Sequence, residues 1–124
     1  MRRGLFILGL LASLHGIAQD TLQIGKATVY SAKFEGHHTA SGEIYHPQRL
    51  TAAHASLPLQ SLVKVTNLQN NQSVSVKIND RMGYMPDHII RLSKAAAKKL
   101  HMQENSVVYA RITPLGEATI PQYA

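Results

Sequence analysis

The sequence has no cysteine and no tryptophan, only seven acidic residues, and no apolar run long enough to cross a bilayer. Each absence closes off a class of protein. Without cysteine there is no disulfide framework, no thiol nucleophile, no thiolate-bound zinc and no cysteine to carry a lipid anchor. A domain without disulfides must be held together by its core alone. The longest charge-free apolar stretch, Leu5 to Leu14, is about half of the roughly 20 residues a spanning helix needs. Acids are outnumbered by thirteen lysines and arginines, giving a formal net charge of +6. That surplus suits an acidic partner. The basic residues are scattered along the chain rather than gathered in a patch, so nucleic acid is not an expected partner.

What is present begins with order at the N-terminus. Arg2 and Arg3 precede the apolar stretch, and Gly16 and Ala18 supply small residues at −3 and −1 of a cut after Ala18. Charge, apolar core and small-x-small together describe a secretory signal peptide. The expected organisation is a signal peptide over 1–18, a single domain over 19–113 and a loosely packed tail over 114–124. Cleavage lowers the net charge to +4, because two arginines leave and all seven acids stay. The product is expected to be periplasmic or secreted, with no lipid anchor and no integral membrane segment.

Strand signals dominate the domain. Val63 and Val65 alternate with Lys64 and Thr66. Val74, Val76 and Ile78 alternate with Ser73, Ser75 and Lys77. This two-residue period marks half-buried strands over Leu62–Asn67 and Ser73–Asn79, and Gln69-Asn70-Asn71-Gln72 between them reads as a hairpin turn. Lys26–Tyr30 is a short β-prone segment. Val107–Thr113 offers Val108, Ala110 and Ile112 to one face. One helix is expected over Lys94–Leu100, with Ser93 as its N-cap, Ala96, Ala97 and Leu100 inward, and lysines near its C-terminal end. Short strands with one helix point to an all-β barrel or sandwich.

The most informative stretch is Thr39-Ala40-Ser41-Gly42-Glu43-Ile44-Tyr45, followed by Leu50-Thr51-Ala52-Ala53-His54. Downstream stand Leu57-Pro58-Leu59, Val63-Lys64-Val65-Thr66-Asn67-Leu68, Val76-Lys77-Ile78-Asn79-Asp80-Arg81 and Ile90-Arg91-Leu92-Ser93-Lys94-Ala95-Ala96-Ala97. In this order and spacing the pieces resemble the rare lipoprotein A family over about residues 26–113. The resemblance implies a six-stranded double-psi β-barrel with one short helix. It implies an endolytic lytic transglycosylase that cuts peptide-poor peptidoglycan glycan strands and leaves 1,6-anhydro-muramic acid ends. It needs no cofactor. The residues it implicates in activity are Asp80, Glu43 and His54; Arg81, Arg91, His46 and Tyr45 are expected beside them as substrate-binding residues.

The chemistry suits those residue types. Glycosidic cleavage passes through an oxocarbenium-like state and needs a proton on the leaving oxygen. A lytic transglycosylase then uses the sugar's own 6-hydroxyl as nucleophile, so one carboxyl group can be acid first and base second. Asp80 is expected in that role, with Glu43 or His54 holding substrate or tuning Asp80. Simpler readings stand beside these: Asp80 as a turn cap at a strand end, Glu43 as a loop acid, His54 as a buried histidine tying two backbone segments together. Three departures from the family pattern bear on activity. Met82 precedes Gly83 where the family has Gly-Pro, His46 stands where an acid is usual, and Arg91 replaces an acid. A cation at 91 is expected to depress nearby carboxylates or to attract an anionic glycan or lactyl carboxylate. Arg91 and His46 favour the rival expectation, a non-catalytic glycan-binding or wall-loosening module related to expansins, whereas Glu43, His54 and Asp80 favour the enzyme. His37, His38, His46 and His54, with Glu43 among them, leave a metal site open, although their spacing fits no ligand pattern.

Overall fold

The computed structural model describes residues 22–117, so the expected signal peptide and the end of the tail lie outside the described residues. Six strands form a closed barrel: β1 (Gln23–Val29), β2 (Thr51–Ala53), β3 (Ser61–Asn67), β4 (Ser73–Asp80), β5 (His88–Leu92) and β6 (Val108–Glu117). Around the barrel the order is β1-β5-β2-β4-β3-β6. One helix, α1 (Lys94–Lys99), follows β5. The all-β barrel with one short helix is the expected architecture.

The β3–β4 hairpin forms where alternation placed it. Val63, Val65, Val76 and Ile78 are essentially inaccessible and join Leu92, Leu100 and Ile112 in one core. The turn is closed by asparagine chemistry: the Asn67 side chain accepts from the Gln69 amide at 2.9 Å, and Asn71 takes a positive φ of 63°. Helix α1 is capped by Ser93, whose Oγ accepts from Ala96 N–H at 3.2 Å. Ala96, Ala97 and Leu100 are buried as expected. The last strand runs four residues past the expected Thr113. Pro114 is accommodated because it sits at a register shift opposite Leu62 and Val63, and a bulge tolerates a residue with no amide hydrogen.

Two features position the site. β1 runs parallel to β5, and β2 runs parallel to β4, each pair with a register shift, between Lys26 and Ala27 in one and between Ala52 and Ala53 in the other. Parallel partners finish at the same level. Ala53 pairs with Asp80, and the amide of Tyr30, one residue beyond β1, donates to Leu92 O at the end of β5. The residues that leave these pairs, Tyr30, His54, Asp80 and Arg81, therefore gather at one rim. Beneath them lies a small second core of Tyr30, Tyr45, Ala53 and Met82, with Phe34 against it. Met82, the departure from the family's Gly-Pro, fills space in this cluster.

Candidate functional site

The loop from Thr39 to Glu43 is stitched to the end of β4, and its sequence explains how. Gly42 takes φ +93°, a conformation that costs other residues energy. Thr39 Oγ1 donates to Glu43 O at 2.8 Å and closes the loop. The Ser41 amide donates to Asn79 O at 3.1 Å, and the Ala40 amide donates to Asp80 Oδ1 at 2.8 Å. Thr-Ala-Ser-Gly-Glu is thus a clamp that brings Glu43 to one side of β4 and a backbone donor to Asp80.

Asp80 accepts three hydrogen bonds. Oδ1 takes the amides of Ala40 and Arg81, each at 2.8 Å, and Oδ2 takes the Tyr30 hydroxyl at 2.5 Å. Donors directed at a carboxylate stabilise its charge. Burial, then the hydrogen bond and negative charge of Asp80, push the Tyr30 phenol far above its ordinary value, so it remains a neutral donor. The Tyr30 ring stacks on Tyr45 with centroids 4.3 Å apart. The guanidinium of Arg91 lies 5.6 Å from the Tyr30 centroid and 5.8 Å from that of Phe34.

Glu43 sits in a different environment. Its Oε2 pairs with Lys77 Nζ at 2.7 Å, and its Oε1 accepts from Asn79 Nδ2 at 3.1 Å and from Ser41 Oγ at 3.3 Å. The Lys77 hydrogen bond outweighs desolvation and holds the carboxyl below its ordinary range. Glu43 rests as an anion and has no proton to give near neutral pH. It lines a groove of about 300 Å³ with Ile44, His46, Arg49, Thr51, Lys77 and Asn79. A second groove, of about 660 Å³, runs past Tyr30, Tyr45 and Pro47 to Lys94 and Lys98 on α1. Asp80 lines neither; its neighbours Asn79 and Tyr30 line one each.

His54 is 3% exposed. Nδ1 accepts from the amides of Ser56 and Leu57, each at 3.0 Å, and Nε2 bonds Gln23 Oε1 at 2.9 Å. Burial, and secondarily the charge of Arg81, lowers its pKa from the ordinary 6.5, so the ring stays neutral. Its own amide donates to Asp80 O, and its carbonyl accepts from Arg81 Nη1 at 3.2 Å. His54 is therefore a joint between the loop after β2 and the end of β4, with both ring nitrogens engaged by protein.

The expected residues separate by role. Asp80, Arg81 and His54 converge at the rim, and Glu43 and His46 share the smaller groove. Tyr45, expected on the substrate, is 3% exposed; its hydroxyl accepts from the Lys94 amide at 3.1 Å, and it belongs both to the small core and to the wall of the larger groove. Arg91 is directed onto aromatic faces and lines neither groove. Among the described residues no three His, Asp or Glu side chains converge as metal ligands. Sequence reasoning passed over Tyr30, Lys77 and Arg49. Lys77 stood on the outward face of a well-read strand, the only signal available for it.

A family model described as lytic transglycolase matches residues 23–112. The endolytic peptidoglycan transglycosylase RlpA of Yersinia pestis is 42% identical over 106 residues, covering 83% of this chain and 29% of its own length. That of Pseudomonas aeruginosa (strain UCBPP-PA14) is 47% identical over 89 residues, covering 72% of this chain and 26% of its own. The chain thus spans under a third of the length of these curated relatives. Among solved structures, the apo expansin of Clavibacter michiganensis superposes with a TM-score of 0.59 at 20% identity, over 77% of this chain and 50% of that one. At that identity the likeness is one of fold.

Proposed function

This chain belongs to the lytic transglycolase family of double-psi β-barrels, and from that membership we propose that it is an endolytic peptidoglycan lytic transglycosylase acting on peptide-poor glycan strands. The observation that carries the reading is the Asp80–Tyr30 pair at the barrel rim. A carboxyl group that must be acid and then base needs a partner that tolerates both states. With Asp80 ionised, Tyr30 donates to Oδ2. With Asp80 protonated, the phenol oxygen can accept, and its own hydrogen is free to turn elsewhere. Because Tyr30 resists ionisation, the pair does not lose its proton to solvent. Glu43, held as an anion, serves the other need of the reaction by facing the positive charge that develops on the sugar ring. His54 and Arg81 are positioning residues that fix the end of β4. Residues 1–18 act as the leader that delivers the domain to the wall.

A non-catalytic glycan-binding module is the second reading. It is favoured by the three donors already engaging the Asp80 carboxyl and by the Lys77 bond that holds Glu43 as an anion. The two readings part on one experiment. The protein is incubated with peptide-free glycan strands, and soluble products are read by mass spectrometry. The enzyme releases fragments ending in 1,6-anhydro-muramic acid. Asp80→Asn lowers turnover by about 10²–10⁴-fold, the usual worth of an acid–base group, while strand binding persists. Strands retained with no anhydro product released would decide for the binding module.

A further inference from the structure

Arg91 occupies an unusual place for a cation. It stands on β5, where its backbone pairs with Thr28 of β1 and with Ala53 of β2, so its main chain is fixed from both sides. Its side chain is half-buried. Among the described residues the one ion pair is Lys77–Glu43, so no carboxylate holds the Arg91 guanidinium. It also lines neither groove. What it meets is aromatic: the Tyr30 centroid at 5.6 Å and the Phe34 centroid at 5.8 Å. Both lie within the range at which a cation is attracted to a ring. Tyr30 is itself pinned. Tyr45 stacks on its ring at 4.3 Å, Phe34 meets it edge-on at 5.6 Å, and its hydroxyl donates to Asp80 Oδ2 at 2.5 Å. A chain of contacts thus runs from a cation, through a ring, to the carboxyl group of the proposed reaction.

We propose that Arg91 is a positioning residue that acts on Asp80 through the Tyr30 ring, strengthening the phenol as a donor and holding Asp80 toward its anionic form. The proposal rests on the lytic reading above and names a residue that sets the pH range of that reaction. A cation beside the ring favours negative charge on the phenol oxygen, and polarisation passes along the hydrogen bond that the oxygen makes. Burial, then the hydrogen bond and charge of Asp80, raise the Tyr30 phenol, and the charge of Arg91 pulls against that rise. The other charged groups nearby are placed differently. Arg81 turns its guanidinium to His54 O, and His54 stays neutral. Lys33 lies 5.5 Å from the Phe34 centroid, and His37 meets Phe34 edge-on at 6.3 Å. Glu35, Glu104, Lys94 and Lys98 share the larger groove with Tyr30, two acids against two bases. Glu43 and Lys77 answer one another at the smaller groove.

The test follows the Asp80 carboxyl carbon by NMR, with labelled aspartate, as pH is varied. Release of anhydro products from peptide-free strands is measured on the same proteins over the same range. Arg91→Met keeps the bulk of the stem and removes the charge. It should raise the midpoint of the Asp80 titration by about half a pH unit, the scale of one cation–π contact. The alkaline limb of turnover should move up with it, because the acid form then persists to higher pH. Arg91→Lys retains a cation and should hold most of the wild-type midpoint. Tyr30→Phe should raise the midpoint by itself, and adding Arg91→Met to it should move the midpoint no further, since a relay loses its first member's effect once the second is gone. An unmoved midpoint in Arg91→Met, or an Arg91→Lys midpoint equal to that of Arg91→Met, would overturn the relay by showing that the contact is packing alone. A full Arg91→Met shift in the Tyr30→Phe background would overturn it by showing a direct field on the carboxyl. Anhydro products with an unmoved midpoint would leave the lytic reading standing and remove the relay. A midpoint that moves without products would do the reverse.

Discussion

Among single side chains, His54 ties acidity to stability most directly. Its pKa is lowered in the folded protein from 6.5, first by burial and then by Arg81. The unfolded chain thus takes up a proton at a higher pH than the folded one. The stability gained from the neutral ring is complete above about pH 6.5 and is lost as pH falls from there through the lower folded value. Melting temperature should decline on acidification across that window, well before the Glu43–Lys77 pair responds, because Glu43 titrates below its ordinary 4.5. His54→Gln should flatten the decline. It should also lower the neutral-pH melting temperature by about 4–8 °C per kcal/mol lost, with about 1–3 kcal/mol at stake from unpartnered donors. Calorimetric scans from pH 8 to pH 5 check both; a wild-type curve flat over that range would show that the imidazole protonates within the fold. The motif Thr-Ala-Ala-His marked this residue but not its duty. The amides of Ser56 and Leu57 and the Gln23 side chain that satisfy it come from a turn and a distant strand, and no local pattern announces them.

Among the elements, β1 shows how tightly the parallel pairs are drawn. A methyl group on Gly25 would stand 2.5 Å from Ile89 Cγ2 and 2.9 Å from Asp87 O, where the Lys26 amide also reaches Asp87 O. The backbone oxygen cannot rotate away as a side chain might. Gly25→Ala should cost about 1–3 kcal/mol by overpacking, read as a lower urea midpoint with an unchanged slope, because the shift lies in stability and not in exposed surface. A midpoint equal to wild type would mean that the pair of strands has room to part.

The elements also show which parts of the fold are written locally. The β3–β4 hairpin and the buried face of α1 were legible because one face of each is dry and the other wet, which stamps a period on the sequence. β2, Thr51–Ala53, is buried at all three positions and leaves no alternation. β5, His88–Leu92, reached notice only through the family motif. β6 was read short because Pro114 looks like a terminator until the bulge opposite it is known. The site divides in the same way: Asp80, Glu43 and His54 came from the motif, whereas Tyr30 and Lys77 are brought in by strand pairing that joins residues far apart in sequence, and Arg49 lies in a loop between motifs.

For the whole molecule, stability rests on a closed barrel core with a smaller cluster at its rim. There is no cysteine, and the inward faces of all six strands meet around Ile78, Ile90, Leu92 and Ile112. Material recovered from the periplasm should begin at Gln19 and should melt at the same temperature with or without chelator and reductant. A drop with chelator would point to a bound metal among the histidines, and an intact Met1 form as sole product would remove the leader reading.

The pairing of β1 with β6 has a kinetic consequence. The first and last strands are neighbours, so almost the whole described chain must be threaded before the circle can shut. Of the strand pairs, only the β3–β4 hairpin can zip up locally. Topologies governed by such distant pairings fold in milliseconds to seconds rather than microseconds. A nascent chain that lacks its final strand is an open ribbon with two bare edges. This waiting period leaves the circle open, and the polypeptide pliable, for as long as Val108–Glu117 has yet to join.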